Sequence, residues 1–148
     1  MWLAPYSDAV RTGLLAEQLG DLLERPLVAT LATYRRSGEV LLSPIWHEWN
    51  RDGFNIVIGD HDAKAEHIRR DPRVSVVVYE SEPPYRGIEV RGRGHFVDVE
   101  EELLAARLRI WARYLGVDPP PPTGEALIRL EGTIRAWDFA DDFAQPQG

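Results

Sequence analysis

The sequence predicts an α+β fold, an antiparallel barrel with flanking helices, and three observations carry that prediction. Segments of helical and strand-like pattern follow in the order helix, strands, short helix, strands, helix, strand, which is not the regular alternation of a doubly wound sheet. Strand-like segments alternate apolar and polar residues with a period of two. No Gly-x-Gly-x-x-Gly, Walker loop or Gly-x-Ser-x-Gly elbow is present, so nucleotide-binding sheets and hydrolase triads have no support.

The elements read as follows. Ser7 or Asp8 is placed to cap a first helix whose apolar face is Leu15, Leu19 and Leu22, ended before Pro26. Leu27 to Thr33 reads as a strand, followed by the turn Arg35-Arg36-Ser37-Gly38. The next strand puts Leu41, Ser43, Ile45 and His47 on one face and Val40, Leu42, Pro44 and Trp46 on the other, both expected to be at least partly covered. Pro44 cannot donate to a ladder, so it marks an edge, a bulge or an interruption.

Asn50 to Gly53 is a turn into a strand over Phe54 to Ile58. Gly59 to Asp62 is a loop, and Ala63 to Arg70 a short helix stopped by Asp71-Pro72. Val74 to Tyr79 is a strand, and after a Pro-rich loop Ile88 to Val99 is a long strand bent near Gly92 or Gly94. Glu100 to Leu115 is a long helix with an apolar stripe of Leu104, Leu108, Trp111 and Leu115, stopped by Gly116. An extended Pro119 to Pro122 run leads to a last strand ending near Trp137, and the tail after Asp141 is expected to be loose.

Composition bounds the function. A chain of 148 residues with 44% apolar and 28% charged residues suits one globular domain, here residues 1–148. The absence of cysteine excludes disulfides, thiolate nucleophiles and Cys-built zinc sites. No apolar run reaches membrane-spanning length and the N-terminus does not resemble a signal peptide, so a cytoplasmic protein is expected. A net charge of −7 argues against nucleic-acid and anionic-membrane partners. Among sixteen arginines stands one lysine, Lys64, whose compact ammonium suits a phosphate in a tight turn.

Three places are candidates for chemistry. At the strand–loop–helix step from Ile58 to Lys64, unpaired helix N–H groups and the lysine can hold a phosphate; the alternative is that Asp60 or Asp62 caps the helix and Lys64 faces solvent. Trp46, His47 and Trp49 can flank a planar ring or simply pack in a core. Arginines 35, 36, 69, 70, 73, 86, 91 and 93 can converge on an anionic tail or pair with carboxylates. His61 and His67 lack metal-ligand spacing, and no metal site is expected.

The stretches LVATLAT, SPIWHEW, Gly53-Phe54, AKAEHIRRDPRVSVVV and PPYRGIEVRGRGHF, over roughly residues 25–99, resemble the pyridoxamine 5′-phosphate oxidase-like split β-barrels. The resemblance is closest to the actinobacterial flavin/deazaflavin oxidoreductases of the B branch, and the Lys64 to Val74 pattern Lys-x-x-x-x-x-Arg-x-Asp-Pro-Arg-Val is its most specific part. It implies an FMN-binding type of split barrel forming a homodimer, with cofactor sites at the subunit interface. The implied cofactor is the deazaflavin coenzyme F-420, favoured by the branch, or FMN. The implied activity is hydride transfer between that cofactor and a small organic substrate.

By position, Lys64 matches the phosphate contact, with Asp62 and Ala63 beside it. Ser43, Pro44, Ile45 and Trp46 match the strand lining the ring, and Val57, Ile58 and Gly59 the strand end near the ring and ribityl chain. Tyr85, Arg86 and Gly87 fall where the partner subunit approaches. The chain departs from pyridoxamine phosphate oxidases in carrying Ala63 where they have Arg, and in lacking their C-terminal Arg motif. That argues against pyridoxamine phosphate oxidation itself. Asp60-His61-Asp62 also stands where deazaflavin binders often have basic or small residues. A non-catalytic carrier of flavin, haem-related or other planar ligands, and a barrel that has lost its cofactor, are the alternatives.

Overall fold

The computed structural model describes residues 10–139. Eight strands form one antiparallel sheet: β1 (Val10–Leu14), β2 (Ala29–Tyr34), β3 (Val40–Ile45), β4 (Glu48–Asn50), β5 (Gly53–Gly59), β6 (Arg73–Tyr79), β7 (Gly87–Phe96) and β8 (Glu125–Phe139). Their order is β3-β2-β6-β7-β8-β5-β4, with β1 added to β8. Helix α1 (Ala63–Arg70) joins β5 to β6, and α2 (Glu100–Leu115) joins β7 to β8. This is the α+β split barrel expected: a curled antiparallel sheet with two helices.

Strand β8 is the spine. Its first half pairs with β5 (Ile56 opposite Ile128) and its last residues with β1, while its other edge pairs with β7 along ten residues. Alternate residues of these strands point inward, so Leu31, Ile56, Val76, Val90, Ile128 and Leu130 make a continuous buried core. Where the long strand was expected to bend, Gly92 pairs directly with Gly132. A Cβ on Gly92 would stand 1.9 Å from the Glu131 carbonyl oxygen, so only glycine allows that approach.

Both helices have the expected ends. Asp71, ahead of Pro72, stops α1 and its N–H bonds the His67 carbonyl. Glu100, Glu101 and Glu102 complement the dipole at the start of α2, and Gly116 closes it at φ +69°.

Four expectations are corrected. The first helix does not form: Val10–Leu14 is a strand, followed by a 3-10 turn over Ala16–Leu19. Gly13 (φ +71°) and Gly20 (φ +60°) interrupt any continuous helix there, and Arg11 pairs with Asp138 across from β8. Leu19 and Leu22 are still core residues, whereas Leu15 is exposed. The proposed caps Ser7 and Asp8, and the tail after Asp141, lie outside the described residues.

The stripe of α2 is on the wrong side. Leu104, Leu108 and Leu115 are exposed and Trp111 half-buried, while Ala106, Arg107 and Ile110 face the barrel. Arg107 is buried because Nε donates to Glu125 (2.7 Å) and an Nη to the Pro120 carbonyl (2.6 Å), and such a paired arginine reads in sequence as a solvent face. The two faces of β3 are also unequal: Ser43, Ile45 and the following His47 are buried, but Val40 and Leu42 are 49% and 64% exposed. Finally, Glu48–Asn50 forms a strand of its own, β4, of which the sequence assigns only Asn50, to the turn. Arg51 and Asp52, both at positive φ, make a tight hairpin that lets Glu48–Asn50 pair with β5.

Candidate functional site

Strands β3 and β5 sit near opposite ends of the sheet order, yet they line one groove of about 450 Å³, because the sheet curls until its ends approach. The edge strand β3 contributes Pro44 and Ile45, with Trp46 following. Pro44 is tolerated there because β3, as an edge strand, pairs on one side only. The end of β5 brings Val57, Ile58 and Gly59, and the start of α1 brings Asp62 and Lys64. Val28, at the entry to β2, completes the wall and has no sequence signal that singles it out.

The start of α1 decides what the groove can hold. Asp62 occupies the N-cap position but makes no side-chain cap; its backbone carbonyl accepts the Glu66 N–H at 3.1 Å. Its carboxylate turns back instead, accepting the Gly59 N–H at 3.2 Å and the Lys64 Nζ at 3.1 Å. Gly59 makes room for this, since a Cβ there would stand 2.7 Å from Asp62 Oδ1. Asp60 does not cap either, because Arg69 holds both its carbonyl and its carboxylate. Among the described residues, the N–H groups of Ala63, Lys64 and Ala65 therefore meet no acceptor, and the capping alternative fails.

Lys64 and these N–H groups are donors of the kind that can hold an anion. The Asp62 carboxylate already takes two donors that an incoming phosphate would use. The donor set thus fits a phosphate, provided that Asp62 swings out.

The wall residue Trp46 is supported by α2, whose Tyr114 sequence reasoning did not select. Tyr114 of α2 stacks on Trp46, ring centroids 4.9 Å apart and planes 8° from parallel, and Trp111 meets Trp46 edge-on. The Tyr114 hydroxyl donates to the Leu27 carbonyl at 2.6 Å, next to Val28, and accepts the His47 N–H at 3.3 Å. His47 is fully buried; its Nε2–H donates to the same Leu27 carbonyl at 3.1 Å, so Nδ1 accepts from Arg113 at 3.3 Å. Burial, then the Arg113 charge, push its pKa down to about 3, so His47 is neutral and structural. Glu48 points the other way, into a bidentate pair with Arg109 (2.8 Å each) and a bond from Asn55. Burial pushes its pKa up, but these bonds and the arginine charges hold it below the usual carboxylate value. Trp49 packs on Phe54 outside the groove.

The remaining expected residues do not line the groove within one chain. Ser43 is buried on the inner face of β3, and Ala63, at the start of α1, is exposed and off the groove wall. Arg86 is fully engaged: Nε donates to Glu80 at 2.6 Å, one Nη to Glu80 at 2.8 Å, and the other to the Leu19 carbonyl and Asp21. Tyr85 packs on Phe139, and Gly87 is required where a Cβ would stand 2.3 Å from the Trp137 ring. The arginines do not converge. Arg69 bonds Asp60 and Glu66, Arg73 chelates Asp71, and Arg91 pairs with Glu89.

The family model for pyridoxamine 5′-phosphate oxidase matches residues 15–138. An F-420 reductase of known structure is 30% identical, covering 78% of this chain and 93% of its own, with a TM-score of 0.65. A conserved hypothetical protein from Mycobacterium tuberculosis is 22% identical over 91% of both chains, with a TM-score of 0.77. The haem storage protein of Vibrio cholerae is 16% identical, covering 85% and 96%, with a TM-score of 0.67. The last two share the fold. No curated protein matches the chain.

Proposed function

The chain belongs to the pyridoxamine 5′-phosphate oxidase family, and on that premise we propose that residues 1–148 form one domain that binds a deazaflavin of the F-420 type, or FMN, in the groove at the split of the barrel. One observation carries the reading: the uncapped start of α1 and Lys64 open onto the same groove as Trp46. Lys64 and the α1 N–H groups would hold the phosphate, with Gly59 leaving the backbone close to it. Pro44 to Trp46 and Val57 to Gly59 would flank the ring. The 30% identity to an F-420 reductase favours the deazaflavin.

When bound, such a ring supplies hydride transfer to or from a small organic substrate. The chain's own residues bind and orient. Tyr114 fixes the plane of Trp46, and neutral His47 ties the end of β3 to the entry of β2. Ala63 in place of the arginine of pyridoxamine phosphate oxidases supports an activity other than theirs.

The homodimer and a cytoplasmic setting belong to the same proposal. Val40, Leu42 and Pro44 present an exposed apolar face on an edge strand, which a second subunit would cover. No helix among the described residues is long and apolar enough to cross a membrane. The second reading is a carrier of a planar ligand, favoured by one fact: among the described residues, Asp62 and Lys64 are the only titratable side chains on the groove wall, and they bond each other.

Parallel titration with FMN and F-420, followed by flavin or deazaflavin fluorescence, tests the reading. Binding of either in the micromolar range is expected, weakened by about 1–3 kcal/mol in Lys64→Ala, the range for a charged hydrogen bond. Turnover of the reduced cofactor with an enone or quinone separates enzyme from carrier. If neither cofactor binds at high micromolar concentration, the oxidoreductase reading is lost.

A further inference from the structure

We propose that a second pocket, adjoining the groove along Val28, is the substrate site and takes a small neutral acceptor through its carbonyl oxygen. The proposal rests on the cofactor reading above.

The pocket, about 390 Å³, lies between Arg25, Thr30, Tyr79, Ser81 and Glu82, with Leu27 and Val28 as its apolar wall. Val28 borders both cavities. Thr30 stands two residues further along, on the same side, and pairs directly with Pro44, which lines the groove. The two cavities thus meet across one cross-strand pair. Hydride passes only between atoms in contact, about 3–3.5 Å apart, so a substrate must lie against the ring. This pocket adjoins, along Val28, the groove in which the ring would lie.

Its chemistry selects the ligand. Arg25 spends one N–H on Glu80 at 2.8 Å and makes no other side-chain hydrogen bond among the described residues. Glu80 is buried and is held from the other side by Arg86, so it fixes the Arg25 head in place. The hydroxyls of Thr30, Tyr79 and Ser81 likewise have no partner among the described residues and add three donors. These donors suit an acceptor oxygen. The charge around them favours a neutral one: Arg25 and Arg86 are balanced by Glu80 and Asp21, and Glu82 adds a negative charge at the mouth. A carbonyl is therefore accepted and a carboxylate is repelled.

Menadione is the neutral probe and 1-naphthoate its charged comparator, titrated into the cofactor-loaded protein with Trp fluorescence as readout. Menadione is expected to bind at least fivefold more tightly than naphthoate. Arg25→Gln and Thr30→Val are each expected to weaken menadione at least fivefold while cofactor affinity stays within twofold; Thr30→Val, nearly isosteric, serves if Arg25→Gln lowers the urea midpoint. Unchanged menadione affinity in a folded variant, or no menadione binding to the wild type, overturns the substrate site and leaves the cofactor reading standing. Loss of cofactor affinity alongside menadione in both variants overturns it as well, because the pocket is then not distinct from the groove. Absence of cofactor binding in the wild type, read by its own fluorescence, overturns both.

Discussion

The phenol of Tyr114 lies flat on the indole of Trp46, which makes the last turn of α2 the support for one wall of the groove. The two functions of Tyr114 are separable. Tyr114→Phe keeps the stack but loses the bond to the Leu27 carbonyl, which His47 still satisfies, and the bond from the His47 N–H, so a loss of about 1–3 kcal/mol and near-normal cofactor affinity are expected. Tyr114→Leu removes the stack and should cost about 2–3 kcal/mol and weaken cofactor binding about fivefold or more. Urea unfolding and cofactor titration of both variants check this; equal affinity in both means that the stack does not hold the wall.

Asp62→Asn should tighten binding of a phosphate-bearing cofactor. The carboxylate takes the Gly59 N–H and Lys64 Nζ that a phosphate needs, and repels it besides. With the side chain 47% exposed, solvent screening limits the gain to about 0.2–1 kcal/mol, up to about fivefold. Calorimetric titration with FMN at low and high salt tests it, and the difference from wild type should shrink as salt rises.

Stability should fall as the pH is lowered from 6.5 towards 3. His47 has its folded pKa pushed down to about 3 by burial and by Arg113, while in the unfolded chain it titrates near 6.5. Between those values the unfolded chain binds the extra proton, so stability rises with pH there, by about 1.4 kcal/mol per unit. The contribution is complete above 6.5. Urea midpoints of wild type and His47→Gln between pH 7.5 and 4.5 should show a shallower slope in the variant.

Leu42→Glu should convert a dimer to a monomer without unfolding it. Leu42 is 64% exposed on the outer face of β3, between Val40 and Pro44, so the change costs the single chain little. Light scattering with size exclusion gives the mass of each form. A wild type that is already monomeric removes the premise that β3 is the interface.

Much of the fold was legible locally. The helix Ala63–Arg70 ends where Asp71-Pro72 forbids its continuation, α2 ends at the left-handed Gly116, and the strands follow their two-residue period. Each of these signals is contained within a few residues. The first helix misled for the same reason: Leu15, Leu19 and Leu22 have helical spacing, but Val10–Leu14 is claimed as a strand by residues 136–139 at the far end of the chain. The stripe of α2 misled because Arg107 is buried by partners at Pro120 and Glu125, which no helical wheel includes.

By itself, then, the sequence determined the family, the antiparallel class and the two helices, and singled out Lys64 as a candidate, because periodicity, caps and a short motif act through neighbouring residues. Only the tertiary structure decided that β3 and β5 face each other across a groove, that Val28 completes it and Tyr114 stacks on its Trp46, and that Arg86 is spent on Glu80 and Asp21. It also decided that the Asp62 carboxylate turns away from the helix start towards Lys64. These depend on how the sheet curls and on which partners lie within 3 Å or so, distances set by packing between segments far apart in the chain.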